Sequence, residues 1–179
     1  MSKEFNIKDL GEASYILSIK VYSDRSKKMI GLSQHMYIEE VLKRFSMKNS
    51  KRDLLPLRHA IYLSKKMFLD THEKIQHMSK IPYASVIGSL MYAILCTHPN
   101  IALAVSIMSR YQANPDEKYW IAVKNILKYL RRTKNLMLVF GGGSELKVEG
   151  YTDSDFIANV DDRKSTLGCI SLCNGGVVS

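Results

Sequence analysis

Between Pro82 and Thr133 the chain lays down apolar residues at helical spacing three times, and each run is opened by one of its four prolines. Proline is tolerated in the first turn of a helix, where its missing N–H has no intrahelical partner to lose. Pro82 fits that position, and after it Val86, Leu90 and Ile94 share one face with Ile87, Met91 and Leu95 adjacent. Ala84, Ser85, Gly88, Ser89 and Ala93 keep another face small, which predicts the close approach of a neighbouring helix. Pro99 opens the second run, with Ile101, Val105 and Met108 as its stripe. Asn114-Pro115-Asp116-Glu117 opens the third, with Asn114 read as N-cap, Pro115 at N1 and two acids favoured by the helix dipole. Here Trp120, Val123, Leu127 and Leu130 predict the core side. Lys124, Lys128 and Arg131 recur on a different face, which this spacing turns toward solvent, and Arg132 and Lys134 finish the end.

The segments on either side have other periods. Residues 15–23 alternate apolar and polar, Asp24–Lys28 reads as a turn, and Met29–Ser33 resumes the extended pattern, which predicts a β-hairpin. Ser33 is the expected N-cap of a following helix carrying Ile38, Val41, Leu42 and Phe45 on one side. From Met47 to Ser79 no period holds, and the expectation is a long connection with one helical turn at most. After Thr133 the period becomes two and glycine appears. Asn135–Phe140, Lys147–Asp153 and Thr166–Cys173 read as strands of one antiparallel meander, with a fourth beginning at Val177 and the chain ending in mid-domain.

Composition narrows the chemistry. Hydrophobic residues are 46% and charged residues 24%, a globular mixture. Lys and Arg number 26 against 17 Asp and Glu, a net charge of +9 that suits a polyanion and equally serves solubility. Residues 1–14 have no apolar core of a signal peptide, and the apolar run Ile81–Cys96 falls short of the roughly 20 residues a bilayer needs. Three cysteines without metal-ligand or disulfide spacing fit a reduced, intracellular protein of cytoplasm or nucleus, off the membrane. The five histidines show no ligand pattern, the Gly141–Gly143 run lacks the context of a phosphate loop, and no Gly-x-Ser-x-Gly occurs. Two features remain. Asp153 and Asp155 stand at a strand end with Asp161 and Asp162 nearby, where carboxylates can hold divalent metal or form a solvated acidic loop. The set Lys124, Lys128, Arg131, Arg132 and Lys134 can track a phosphate backbone or form an ordinary solvated helix face.

Longer motifs point to a family. Pro82-Tyr83-Ala84-Ser85-Val86-Ile87-Gly88-Ser89-Leu90-Met91-Tyr92, Thr97-His98-Pro99-Asn100-Ile101-Ala102, Ser109-Arg110-Tyr111 and Ile126-Leu127-Lys128-Tyr129-Leu130-Arg131-Arg132-Thr133 follow one another in order. Together with Asp9-Leu10-Gly11-Glu12, Leu32-Ser33-Gln34, Gly150-Tyr151-Thr152-Asp153-Ser154-Asp155 and Asp161-Asp162-Arg163-Lys164-Ser165-Thr166, they closely resemble the Pol polyprotein of copia-type LTR retrotransposons. The resemblance implies an α+β fold in four parts: the end of a reverse transcriptase, hairpin and helix, over 1–46, and a link over 47–81. A helical thumb and connection block over 82–134 and the first strands of a truncated ribonuclease H-like sheet over 135–179 complete it. It also implies that the polymerase motif Tyr-x-Asp-Asp lies outside the chain. Asp153 then matches the first ribonuclease H carboxylate, a remnant ligand of an incomplete magnesium site, and no cofactor is expected in the fragment itself. The expected role is weak, sequence-independent binding of an RNA–DNA or DNA duplex without catalysis.

Against the family pattern, Ser18 replaces a usual Gly, His98 and Asn100 stand for Arg and Asp, Phe156 for Trp, Leu167 for a small residue and Cys169 for an aromatic. Loss of the Arg and Asp leaves an ion pair near Pro99 without its partners. Two other readings compete: a stand-alone interaction protein of transposon origin, and an active nuclease. Some proteins of this resemblance are named after oomycete secreted RxLR effectors, although the chain contains no Arg-x-Leu-Arg.

Overall fold

The computed structural model describes residues 11–57, 72–143, 145–154, 165 and 167–178. The fold is α+β, with five α-helices and two antiparallel sheets among the described residues. The N-terminal sheet has the order β1 (Tyr15–Ile16), β2 (Ile19–Asp24), β3 (Met29–Ser33), β4 (Leu138–Gly141). The helices are α1 (His35–Arg44), α2 (His72–Ser79), α3 (Tyr83–Cys96), α4 (Ala102–Ser109) and α5 (Glu117–Thr133), with a 3-10 turn over Pro99–Ile101. The second sheet is β5 (Val148–Ser154), β6 (Leu167–Cys173) and β7 (Gly176–Val177).

The core is helical. Ile38, Val41 and Leu42 of α1 meet Val86, Ile87 and Leu90 of α3, Val105 and Met108 of α4, and Val123, Ile126, Leu127 and Leu130 of α5 in one cluster. Tyr83 is buried with them, its hydroxyl donating to the Met108 carbonyl at 3.0 Å, and that burial raises it above the ordinary tyrosine range. Among the described residues no single helix is long and apolar enough to cross a membrane. Glu73–Ser79 and Tyr83–Cys96 reach that length only as a pair bent by 45°, and much of α3 is spent on the core.

Several local expectations change. The extended run 15–23 is broken at Leu17 and Ser18, both at positive φ (48° and 64°), a two-residue turn that pairs Ile16 with Ile19. The N-cap of α1 is Gln34, not Ser33, whose hydroxyl accepts from the His35 N–H at 3.4 Å. Residues 72–79 form a helix where only a loop with a turn was expected. Pro82 is the N-cap residue of α3 and not inside its first turn. Asp116, not Asn114, caps α5, accepting from the Glu117 N–H. The small face of α3 is covered only in part: Ala93 is buried in the core and the Ser89 carbonyl accepts from the Tyr37 hydroxyl of α1 at 3.0 Å, whereas Ala84, Ser85 and Gly88 are exposed.

The largest change concerns the C-terminal strands. The meander is two pieces, because β4 pairs with β3 (Met29 opposite Gly141, Leu32 opposite Leu138) and leaves β5, β6 and β7 as a sheet of their own. Gly141 permits this. At φ +103° it lies so close to Lys28 that a Cβ would sit 2.0 Å from the Lys28 carbonyl oxygen. At Gly176 a Cβ would lie 2.4 Å from the Phe140 ring, so the absent side chain lets β7 rest on β4.

The Leu17–Ser18 turn gives a direct prediction. Type I′ geometry wants Gly or Asn, and an L-residue there costs about 1 kcal/mol. Ser18→Gly removes that cost and returns part of it as freedom of the unfolded chain. A net gain of about 0.5 kcal/mol is expected, raising Tm by about 1–2 °C in a thermal melt. An unchanged or lower Tm would refute the account of the turn.

Candidate nucleic-acid interface

Helix α5 is amphipathic because its apolar residues recur every three to four positions. Tyr119, Ala122, Val123, Ile126, Leu127, Leu130 and Thr133 are its buried side. Trp120, expected in the core, is partly buried and packs against it, while Tyr119 is fully buried, stacked on Tyr111 with ring centroids 4.1 Å apart. Along the flank of this side run Lys124, Lys128 and Arg131. At about 100° per residue they fall within roughly a 60° arc and span about 10 Å of axis. They are half-buried and not fully turned to solvent. The Lys124 ammonium lies 5.8 Å from the Trp120 ring centre, and the Lys128 ammonium donates to Asn125 Oδ1 at 3.2 Å.

A second basic segment joins this flank. The Asp53 N–H donates to the Lys128 carbonyl at 3.4 Å, which brings the exposed pair Lys51 and Arg52 alongside α5. Their sequence distance from α5 hid this neighbourhood, and no periodic signal marks it. Arg132 is exposed at the end of the helix. Lys134 is committed elsewhere: its ammonium lies 3.4 Å from Glu39 Oε2, and Lys48 and His35 approach the same carboxylate at 3.4 and 3.3 Å. Lys134, and then Lys48, hold the Glu39 carboxyl below its ordinary range. Lys134 therefore ties α5 to α1.

Asp153 is on β5. It is exposed, sits opposite Gly168 and accepts from the Ser154 N–H at 2.9 Å. Asp155, Asp161 and Asp162 lie outside the described residues. Among the described residues no group of three His, Cys, Asp or Glu is placed to hold a metal ion.

Around Pro99 the polar side chains meet one another. Asn100 Nδ2 donates to the Tyr129 hydroxyl, and His98 is buried beside Thr97.

Compared with known proteins, the chain is 47% identical over all 179 residues to part of the retrovirus-related Pol polyprotein from transposon TNT 1-94 of Nicotiana tabacum, spanning 13% of it. It is 32% identical over 170 residues to the retrovirus-related Pol polyprotein from transposon RE1 of Arabidopsis thaliana, spanning 11% of that protein. A stretch of 102 residues, 57% of the chain, is 37% identical to secreted RxLR effector protein 161 of Plasmopara viticola and covers 72% of it. No family model matches the chain. No solved structure matches it significantly.

Proposed function

We propose, from its similarity to retrovirus-related Pol polyproteins of copia-type transposons, that the chain is the segment joining a reverse transcriptase to its ribonuclease H. In this reading it grips a template–primer duplex by the phosphates and performs no chemistry itself. The observation that carries the reading is the basic flank of α5, with Lys124, Lys128 and Arg131 on one arc and Lys51–Arg52 docked beside Lys128. Cations one helical turn apart, roughly 5–6 Å, match the spacing of phosphates along a strand. They bind by releasing counter-ions, which confers affinity for any duplex and no base preference. Asp153 alone cannot position two magnesium ions, so catalysis is assigned to other parts of the polyprotein.

The test replaces Lys124, Lys128 and Arg131 together with Gln and measures duplex binding between 50 and 300 mM salt by fluorescence anisotropy. Binding should weaken equally for all sequences, the slope of log K against log salt should fall by about two to three units, and the melting temperature should hold. Incubated with Mg²⁺ and an RNA–DNA hybrid, the parent chain should leave the hybrid intact. An unchanged slope would make the flank an ordinary solvated face. Hybrid cleavage lost in Asp153→Asn would instead favour the nuclease reading.

A further inference from the structure

The second sheet ends in a free edge. Its strand order is β5, β6, β7, so β5 is paired on one side, and among the described residues no strand pairs with its other side. The register between β5 and β6 runs unbroken from Val148 opposite Cys173 to Ser154 opposite Leu167, and β5 contains no proline. Bulges and prolines are the devices by which natural edges keep other strands away, and this edge has neither.

Two backbone bonds show which groups line it. The Asn174 N–H donates to the Lys147 carbonyl at 2.8 Å, so the backbone of Lys147 faces the β6 side. The Val178 N–H donates to the Ser171 carbonyl at 2.8 Å, so Ser171 faces β7, and its neighbours Ile170 and Leu172 face β5 opposite Tyr151 and Glu149. Backbone direction alternates along an antiparallel strand. The N–H and C=O groups of Val148, Gly150 and Thr152 therefore point out of the sheet at the free edge, and all three residues are exposed. Gly150 is the middle of this row, and a Cβ there would meet nothing within 4 Å. A glycine inside a strand weakens it and suits a place where another backbone approaches closely.

The charges select the occupant and its register. A second copy laid antiparallel along β5 about a two-fold axis repeats every contact, so the strand must be complementary to itself. Centred on Glu149, the pairing sets Glu149 against its own counterpart. Centred on Tyr151, it sets Glu149 against Asp153. Centred on Thr152, it sets Asp153 against Tyr151 and gains no ion pair. Centred on Gly150, it sets Lys147 of each copy against Asp153 of the other. In that register Val148 exchanges both backbone bonds with Thr152 of the second copy, and Gly150 with Gly150. Lys147, 2.9 Å from Glu149 in its own chain, then stands between two carboxylates. The two Tyr151 rings are diagonal neighbours on the same face, within reach of each other. We propose that β5 is the contact surface for a second copy of this chain, the two strands joining antiparallel about Gly150 into one continuous sheet.

Sedimentation equilibrium of the whole chain between about 10 µM and about 1 mM tests this. A contact of this small size is weak, and a Kd on the order of 0.1 mM is expected, so the dilute chain is a monomer with β5 open. Asp153→Lys and Lys147→Asp each set like charges against one another at both ends of the contact. Each should weaken self-association about 10-fold or more at low salt. An equimolar mixture of the two variants should dimerise again, because each carries the charges the other lacks. Because Lys147→Asp can disturb the fold near Glu149, the amide resonances of the parent are also followed with concentration. Those of Val148, Gly150 and Thr152 should shift more than those of Glu149 and Tyr151, whose N–H groups already face β6. A chain monomeric throughout, variants that associate like the parent, a mixture no tighter than either variant alone, or shifts confined to other elements would overturn the proposal.

Discussion

Amide exchange under native conditions is expected to divide the chain, with the N–H groups of Val86, Leu90, Ile126 and Leu127 exchanging about 10³-fold more slowly than those of β5 and β6. The slow set sits in the one continuous core, at 0% exposure, and opens only when the domain unfolds. The fast set belongs to a sheet exposed on both sides: Val148 and Leu167 are each 71% exposed, and Tyr151 and Ile170 are open on the opposite face. A pair of strands with neither face covered is marginal in water, so its local opening costs little. A gap of about 4 kcal/mol between local and global opening gives the 10³-fold ratio, within the 5–15 kcal/mol typical of global stability. Hydrogen exchange read by mass spectrometry measures it. Protection through Leu172 equal to that of Leu127 would mean that the second sheet is covered in solution and that this account of it is wrong.

That division also separates what the sequence revealed from what it concealed. Helix α5 was legible because 17 residues repeat one apolar side over several turns. Even there the choice between Tyr119 and Trp120 was lost, since both lie near the edge of the arc and the stacking of Tyr111 on Tyr119 is a tertiary fact. Helix α2 was missed for a physical reason. Of its residues Met78 is buried whereas Ile75 is exposed, so there is no stripe to detect. Strand β4 was recognised as a strand, but local alternation says nothing about its partner. Gly141, the glycine that ends β4, passes over the Lys28 carbonyl. In the same way, the spacing of Lys124, Lys128 and Arg131 marked the helix flank, while Lys51 and Arg52 reach it through one backbone bond that no pattern announces. Ser33 and Asn114 failed as caps by one or two residues, the scale on which helix ends vary.

Leu127→Ala is expected to cost about 3–5 kcal/mol, because a fully buried leucine leaves both lost transfer energy and a cavity that its neighbours fill only in part. Leu167→Ala, on the open sheet, should change stability by no more than about 0.5 kcal/mol. Urea unfolding monitored by far-UV circular dichroism compares the two, with an unchanged m-value marking a true stability effect. A cost under about 1 kcal/mol at Leu127 would mean that α5 does not seat the core. The comparison also separates scaffold from interface on a single helix. Leu127 and Lys128 are neighbours in sequence and face different surroundings, apolar packing on one side and a half-covered cationic flank on the other. Leu127→Ala should therefore shrink the folded population while the molecules that remain folded bind duplex with the parental salt slope. The triple Gln variant should do the reverse, lowering the slope at unchanged melting temperature. If both variants lowered stability and slope together, the cations would belong to the packing of α5, and the phosphate-gripping role would lose its support.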